Sequence, residues 1–154
     1  MIGPVETALK AKLAAIVTDW PIRWPNESWP AGTITTQGGL PTDAEGNPVP
    51  FIEAKVIGGA DSADIAPAGM RHSLRDGLFR IYLCVGQGTG TDAITAKTDT
   101  ILPAFKRKTI FYDQTTKQRL ITMDGRPDDG VAAYEDATRF VRMISIPWTF
   151  DYLS

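Results

Sequence analysis

The feature that most constrains the fold is a stretch in which a strand pattern, a glycine-rich turn and a helix pattern follow one another without a break. Residues 78–85, LFRIYLCV, alternate in character with period two, as a strand with one buried face does. Residues 92–105 place apolar side chains at helical spacing. The turn between them, GQGTGT, has to carry the chain out of a sheet and into a helix. The sequence therefore predicts a helix packed across a sheet.

The same order of strand, glycine turn and helix occurs where enzymes cradle a phosphate. A dinucleotide fingerprint needs G-x-G-x-x-G, but Gly86, Gly88 and Gly90 alternate here, and Thr91 stands where the third glycine belongs. A P-loop needs a lysine that this turn lacks. The pattern therefore favours a turn with positive φ over a nucleotide site, and an enzyme that uses these three glycines is the less favoured alternative.

The remaining patterns predict one more helix and several strands. Val5, Leu9 and Leu13 recur on one helical face, and Pro21 ends that helix. Pro147 predicts that the end of the last strand lies at a sheet edge. Further strand patterns occupy residues 51–57, 108–113, 118–123 and 139–152.

These elements predict a single α+β domain over residues 1–154. We expect a two-layer sandwich, in which a mostly antiparallel sheet of about four or five strands carries both helices on one face. Residues 31–50 and 58–77 are small and polar without period, which predicts two long loops, mobile until neighbouring subunits order them.

Residues 20–30, WPIRWPNESWP, hold three tryptophans and three prolines. Each Trp-Pro step favours extended backbone and prevents a regular strand ladder. Two interpretations remain open at this point. The tryptophans either fold back on the core, or they form an aromatic patch that docks a partner, since Trp is enriched at interface hot spots.

Composition and charge exclude several functional classes. A formal net charge of −2 argues against a dedicated nucleic-acid binder, which usually carries a basic face. No apolar run reaches the roughly 20 residues that span a bilayer. Cys84 is the single cysteine, which rules out a disulfide within the chain and favours synthesis in a reducing cytoplasm. We therefore expect a protein without a membrane anchor or a signal peptide.

The sequence contains no set of residues that is typical of a catalytic or metal site. His72 is the single histidine, no G-x-S-x-G elbow occurs, and Cys84 lies in mid-strand. Residues 124–135, DGRPDDGVAAYE, approach a calcium loop, but Arg126 occupies a ligand position and Asp129 replaces the required glycine. The sequence therefore predicts a protein that is not an enzyme and holds no cofactor or metal.

Several of these features recur in one order along the chain. An amphipathic helix ends near Val17 and is followed by WPIRWPNESWP and FIEAKVI. A strand with a G-x-G exit, LFRIYLCVGQGTGTDAITAKTDTILPAF, leads into a helix that ends near Phe105, and RFVRMISIPWTFDY closes the chain with aromatic residues. This layout resembles the phage tail terminator proteins, which cap the tail tube of phages with long flexible tails.

The resemblance implies a structural virion protein. It implies a hexameric ring that caps the tail tube, stops its polymerisation and presents a surface for joining to the head. The implied partners are other copies of the chain, the tail tube protein and the head–tail connector protein, with DNA only passing through the lumen and no membrane. The implied location is the head-proximal end of the virion tail, after assembly in the host cytoplasm. A head–tail connector or another minor tail component is the alternative.

Opposite charges suggest which surfaces meet in such a ring. Arg71 and Arg75 lie in the predicted loop at 58–77. A predicted acidic turn offers carboxylates that match them, and the final strand offers an aromatic side chain. The full set of candidate interface residues is Arg71, Arg75, Asp124, Asp128, Asp129 and Trp148.

Overall fold

In the part of the chain that the computed structural model describes, seven strands form one sheet and two helices pack against it. The structure describes residues 3–35, 39–65, 71–86, 88, 91–129 and 139–153. The helices are α1 (Gly3–Ile16) and α2 (Asp92–Phe105). The strands are β1 (Ile22–Arg23), β2 (Phe51–Ile65), β3 (Arg71–Gly86), β4 (Thr109–Asp113), β5 (Gln118–Thr122), β6 (Arg126–Asp129) and β7 (Arg139–Leu153).

The strand order is β1-β2-β3-β7-β5-β4, with β6 paired to β7 off this path. β1 runs parallel to β2, while the other pairs are antiparallel, so the sheet is mixed. It curls into half of a barrel, and the described chain is mostly β. The predicted two-layer sandwich with a mostly antiparallel sheet of four or five strands is therefore wrong. β1 and β6 are too short to show a strand pattern in the sequence. β2 and β3 extend beyond residues 51–57 and 78–85, whose patterns predicted strands.

The predicted loop at 58–77 is also wrong where the structure describes it. Residues 58–65 continue β2 and residues 71–77 begin β3, with Asp61 opposite Arg75 after a register shift. β7 pairs with the same part of β3 from the other side, where Ser73 lies opposite Tyr152. These small polar residues are extended because a neighbouring strand satisfies their backbone groups, although their own sequence carries no strand signal.

The two helix predictions are confirmed, and both helices bury their apolar stripes in one core. α1 buries Val5, Leu9 and Leu13. α2 buries four side chains, including Thr98, whose hydroxyl donates to the Ile94 carbonyl at 2.7 Å. Across from the helices, the sheet contributes apolar side chains to the same cluster: Ile52, Ala54, Phe79, Ile81, Leu83, Val85, Leu120, Ile144, Ile146, Trp148 and Phe150.

The tryptophans of residues 20–30 fold back on the protein. Trp24 stacks on Phe79 with ring centroids 6.1 Å apart, on the helix side of the sheet. Trp29 meets Phe51 edge-on at 5.1 Å, in a second cluster with Cys84 and Val141. Of the two interpretations left open by the sequence, the packing supports the first.

Pro147 is not at a sheet edge, contrary to the prediction. It lies inside β7, opposite Leu78 of β3. β5 pairs with β7 after Pro147, and β6 pairs with β7 before it. The Pro147 carbonyl accepts a hydrogen bond from the Met123 N–H at 2.8 Å, on the side of β7 where its neighbour changes from β6 to β5. The N–H that a proline lacks would point to this same side. The proline is tolerated in a central strand because no ladder bond is needed at that junction.

Candidate interaction surface

The two arginines predicted to lie in a loop belong to β3. Arg71 lies opposite Ile65 of β2, and Arg75 lies between Asp61 of β2 and Phe150 of β7. The Arg75 side chain is half-buried, so it is not presented on a projecting loop. That Arg71 and Arg75 take part in a subunit contact stays a prediction.

The predicted acidic turn is largely a strand. Asp128 and Asp129 belong to β6, opposite Met143 and Arg142. Asp124 precedes β6 and accepts two hydrogen bonds of 3.2 Å from the Arg107 guanidinium. Its partner is therefore a cation of the same chain, and a contact of this acidic segment with Arg71 and Arg75 of a neighbouring copy stays a prediction.

Trp148 is 1% exposed, so it does not face a partner in this conformation. Its ring lies over Gly77, the residue opposite it on β3. Trp148 contributes to the stability of the core rather than to a contact surface. The burial of Trp148 becomes visible only in the pairing of β3 with β7. The alternation of side chains along the last strand does not show which of its faces is covered.

Gly88 in the glycine turn has the positive φ that the sequence predicts for this turn. Gly86 ends β3, and Gly88 has a φ of 82°, which L side chains rarely adopt. Gly90 lies outside the described residues. Cys84 is fully buried in β3, and the side chain of His72 is not described. Within the described residues, no three His, Cys, Asp or Glu side chains are grouped to hold a metal ion, and neither helix is long and apolar enough to cross a membrane.

One edge of the sheet is strongly basic. β4 is the edge strand, and residues 106–119 around it hold five cations and one carboxylate. Arg107 is bonded to Asp124, and Arg119 is bonded to Asp151 at 2.8 Å. The three lysines form no ion pair within the described residues. We call this surface the basic edge; its cations are Lys106, Arg107, Lys108, Lys117 and Arg119, all exposed.

The opposite edge is flanked by acidic residues. β1 is the edge strand there, and residues 24–50, which we call the acidic flank, hold three carboxylates and no lysine or arginine. Glu27 is bonded to Lys10 at 2.7 Å, whereas Asp43 and Glu45 form no ion pair in the part of the chain that is described. Pro21, just before β1, lines one hollow together with Ile34 and other residues of the flank.

A buried arginine ties the acidic flank to the sheet. The Arg139 guanidinium donates to the Pro41 carbonyl at 2.7 Å and to the Val49 carbonyl at 3.0 Å. It also lies 5.1 Å from the centroid of the Phe51 ring. The start of β7 thereby positions a segment that has no regular strand of its own, only isolated bridges such as Thr42 with Pro48.

Both edges carry a carboxylate whose ionised form is stabilised by backbone amides. The N–H of Asn47 donates to Asp43 at 2.8 Å and holds the pKa of Asp43 below its ordinary value of 3.8. The amides of Thr116 and Thr115 lower the pKa of Asp113 in the same way, at 3.2 and 2.8 Å. Each carboxylate orders a turn, so the turns at both edges are defined by local hydrogen bonds.

Two exposed apolar side chains lie at the same two edges. Among the described residues, three large hydrophobic side chains are markedly exposed: Ile34 (53%), Tyr112 (56%) and Met123 (47%). Ile34 belongs to the acidic flank and Tyr112 to β4. Sequence reasoning missed this distribution, although the cluster FKRK at residues 105–108 is a visible signal for the basic edge.

No protein-family model and no curated protein matches the chain. One solved structure, whose name states no function, is 14% identical to it. The alignment covers 94% of this chain and 94% of that chain with a TM-score of 0.50. At this identity the likeness shows a shared fold and carries no information about activity.

Proposed function

We propose that the protein is a structural subunit of a phage tail, which forms a ring that caps the tail tube and stops its polymerisation. The observation that supports it best is a curled sheet with two unlike edges, β1 on one side and β4 on the other. A closed ring needs two different surfaces on each subunit, because one surface of each copy meets the other surface of the next. The edges of this sheet offer such a pair.

The whole-chain layout supports the tail terminator role over other ring proteins. The first helix, the Trp-Pro segment, the G-x-G exit from β3 and the aromatic end of β7 occur in the order that is typical of tail terminators. The ring is a hexamer in this proposal, and its partners are the tail tube protein and the head–tail connector protein. Its location is the head-proximal end of the tail.

Deletion of the gene in the producing phage is the test. If the ring terminates the tube, electron microscopy of lysates will show over-long tails without heads, because polymerisation continues and no joining surface forms. Unjoined heads beside tails of normal length would instead indicate a head–tail connector. As a control, expression of the wild-type protein from a plasmid should restore normal particles. Normal particles from the deletion phage without the plasmid would refute a structural role.

A further inference from the structure

The two edges of the sheet are complementary in charge, and we propose that the basic edge of one copy binds the acidic flank of the next copy. This interface rests on the proposed ring function and names the surfaces that build the ring. It differs from the contact suggested by the sequence alone, which paired two sites that the structure places on β3 and β6.

Uncompensated charge is the first support. Lys106, Lys108 and Lys117 lack an ion-pair partner within the described residues, and so do Asp43 and Glu45. Complementary potentials of this kind orient two surfaces and suppress the wrong pairing. Basic edge against basic edge is repulsive, so the charges disfavour a two-fold symmetric dimer and favour head-to-tail association.

Exposed apolar area is the second support. Tyr112 on β4 and Ile34 in the acidic flank are each more than half exposed. Tyr112 lies between Lys108 and Lys117 along the chain, and the Ile34 carbonyl accepts from the N–H of Thr42, the residue before Asp43. An interface commonly buries an aromatic side chain at its centre and surrounds it with polar groups. Tyr112 against Ile34 supplies such a centre.

The position of the edges in the sheet is the third support. β4 and β1 are at opposite ends of the strand order, so the two edge strands of one copy are not neighbours in its sheet. Among the described strands, β5 is the one neighbour of β4, so the outer side of β4 presents backbone N–H and C=O groups that β5 does not pair. Pro21 and Pro25 limit β1 to two residues, which prevents an extended pairing of β1 with β1 of another copy.

Directed cysteine cross-linking tests the interface. A chain with both Ile34→Cys and Tyr112→Cys should form a ladder of disulfide-linked oligomers under mild oxidation at high protein concentration. A mixture of the two single variants should stop at the dimer, because each copy then carries only half of the contact. Cys84 is buried and stays in place. Thr100→Cys combined with Tyr112→Cys is the matched control and should give no ladder.

Charge reversal tests the electrostatic part. Lys106→Glu with Lys108→Glu in the double-cysteine chain should abolish the ladder, and adding Glu45→Lys should restore at least part of it. Asp99→Lys, on the exposed face of α2, should leave the ladder unchanged. Raising the salt concentration should weaken linking in the parent chain, since exposed charges are screened beyond about 10 Å at 0.1 M.

Absence of the link between positions 34 and 112 overturns this interface, whether or not copies associate through another surface. Linking within either single variant alone would also overturn it, because that result requires a symmetric contact. The gene deletion decides the ring function separately: aberrant tails without the 34–112 link would reject the interface and retain the function.

Discussion

Gly77 is a residue at which three strands pack closely. It lies on β3 between Gly58 of β2 and Trp148 of β7. A Cβ at this position would lie 2.0 Å from the Ile57 carbonyl oxygen and 2.5 Å from Cζ2 of Trp148. Neither group can move easily, because one is backbone and the other is a fully buried indole.

Gly77→Ala should therefore lower the free energy of unfolding by about 1–3 kcal/mol or more, as overpacking of a core does. Gly3→Ala is the matched control, because a Cβ there meets nothing within 4 Å, and its effect should stay within about 0.5 kcal/mol. Urea unfolding of the three proteins measures both values. Equal stability of Gly77→Ala and wild type would show that the β2–β3–β7 packing is not as close as described.

Asp113 and Asp43 predict a pH dependence. A folded-state pKa below the unfolded value means that the carboxylate stabilises the folded chain above pH 3.8 and that this contribution is lost as pH falls through the folded pKa. NMR titration of the side-chain carboxyl carbons should place both pKa values below 3.8 in the folded protein. In urea both should return to about 3.9. Folded values at or above that figure would contradict the turn geometry.

At the scale of single elements, β7 shows how neighbours decide what a strand tolerates. Pro147 lies where the partner of β7 changes from β6 to β5, whereas Ser145, two residues earlier, faces Arg126 of β6. The side chains of both residues are partly exposed, so backbone hydrogen bonding is the main difference between them.

Pro147→Ala should change stability by no more than about 1 kcal/mol, chiefly through the flexibility of the unfolded chain. Ser145→Pro should cost considerably more, because it removes a ladder N–H and places a ring against β6. Guanidinium unfolding of the two variants measures the difference. A larger loss at Pro147 than at Ser145 would mean that the pairing of β6 with β7 is not as described.

At the scale of the whole molecule, Arg139 connects the acidic flank to the sheet. Its two hydrogen bonds to the Pro41 and Val49 carbonyls use the planar fork of the guanidinium, which a lysine does not reproduce. Arg139→Lys should therefore speed amide hydrogen exchange across residues 39–50 by at least about tenfold, the equivalent of roughly 1.4 kcal/mol, while α1 and α2 stay protected.

Arg142→Lys is the matched control on the same strand. Arg142 donates to the hydroxyls of Thr95 and Thr98 of α2 at 3.4 Å, so its replacement should leave exchange in residues 39–50 unchanged. Faster exchange in both variants would indicate a general loosening of β7 rather than the release of the flank.

The sequence by itself determined both helices and the strands β4 and β5. Their signals are local: apolar residues at helical spacing in α1 and α2, and two strand patterns joined by a short polar turn. The positive φ of Gly88 also followed from the sequence, because a chain that leaves a strand and enters a helix within a few residues needs an unusual backbone conformation.

Only the tertiary structure decided the length of β2 and β3, the central place of Pro147, the burial of Trp148 and the separation of charge between the two sheet edges. Each depends on which strands are neighbours, and that information lies in residues far apart in sequence. Residues 58–65 have no strand pattern and are extended because β3 pairs with them. The basic edge and the acidic flank are both visible in the sequence as composition, but only the folded chain places the first around β4 and the second beside Pro21 and the start of β7.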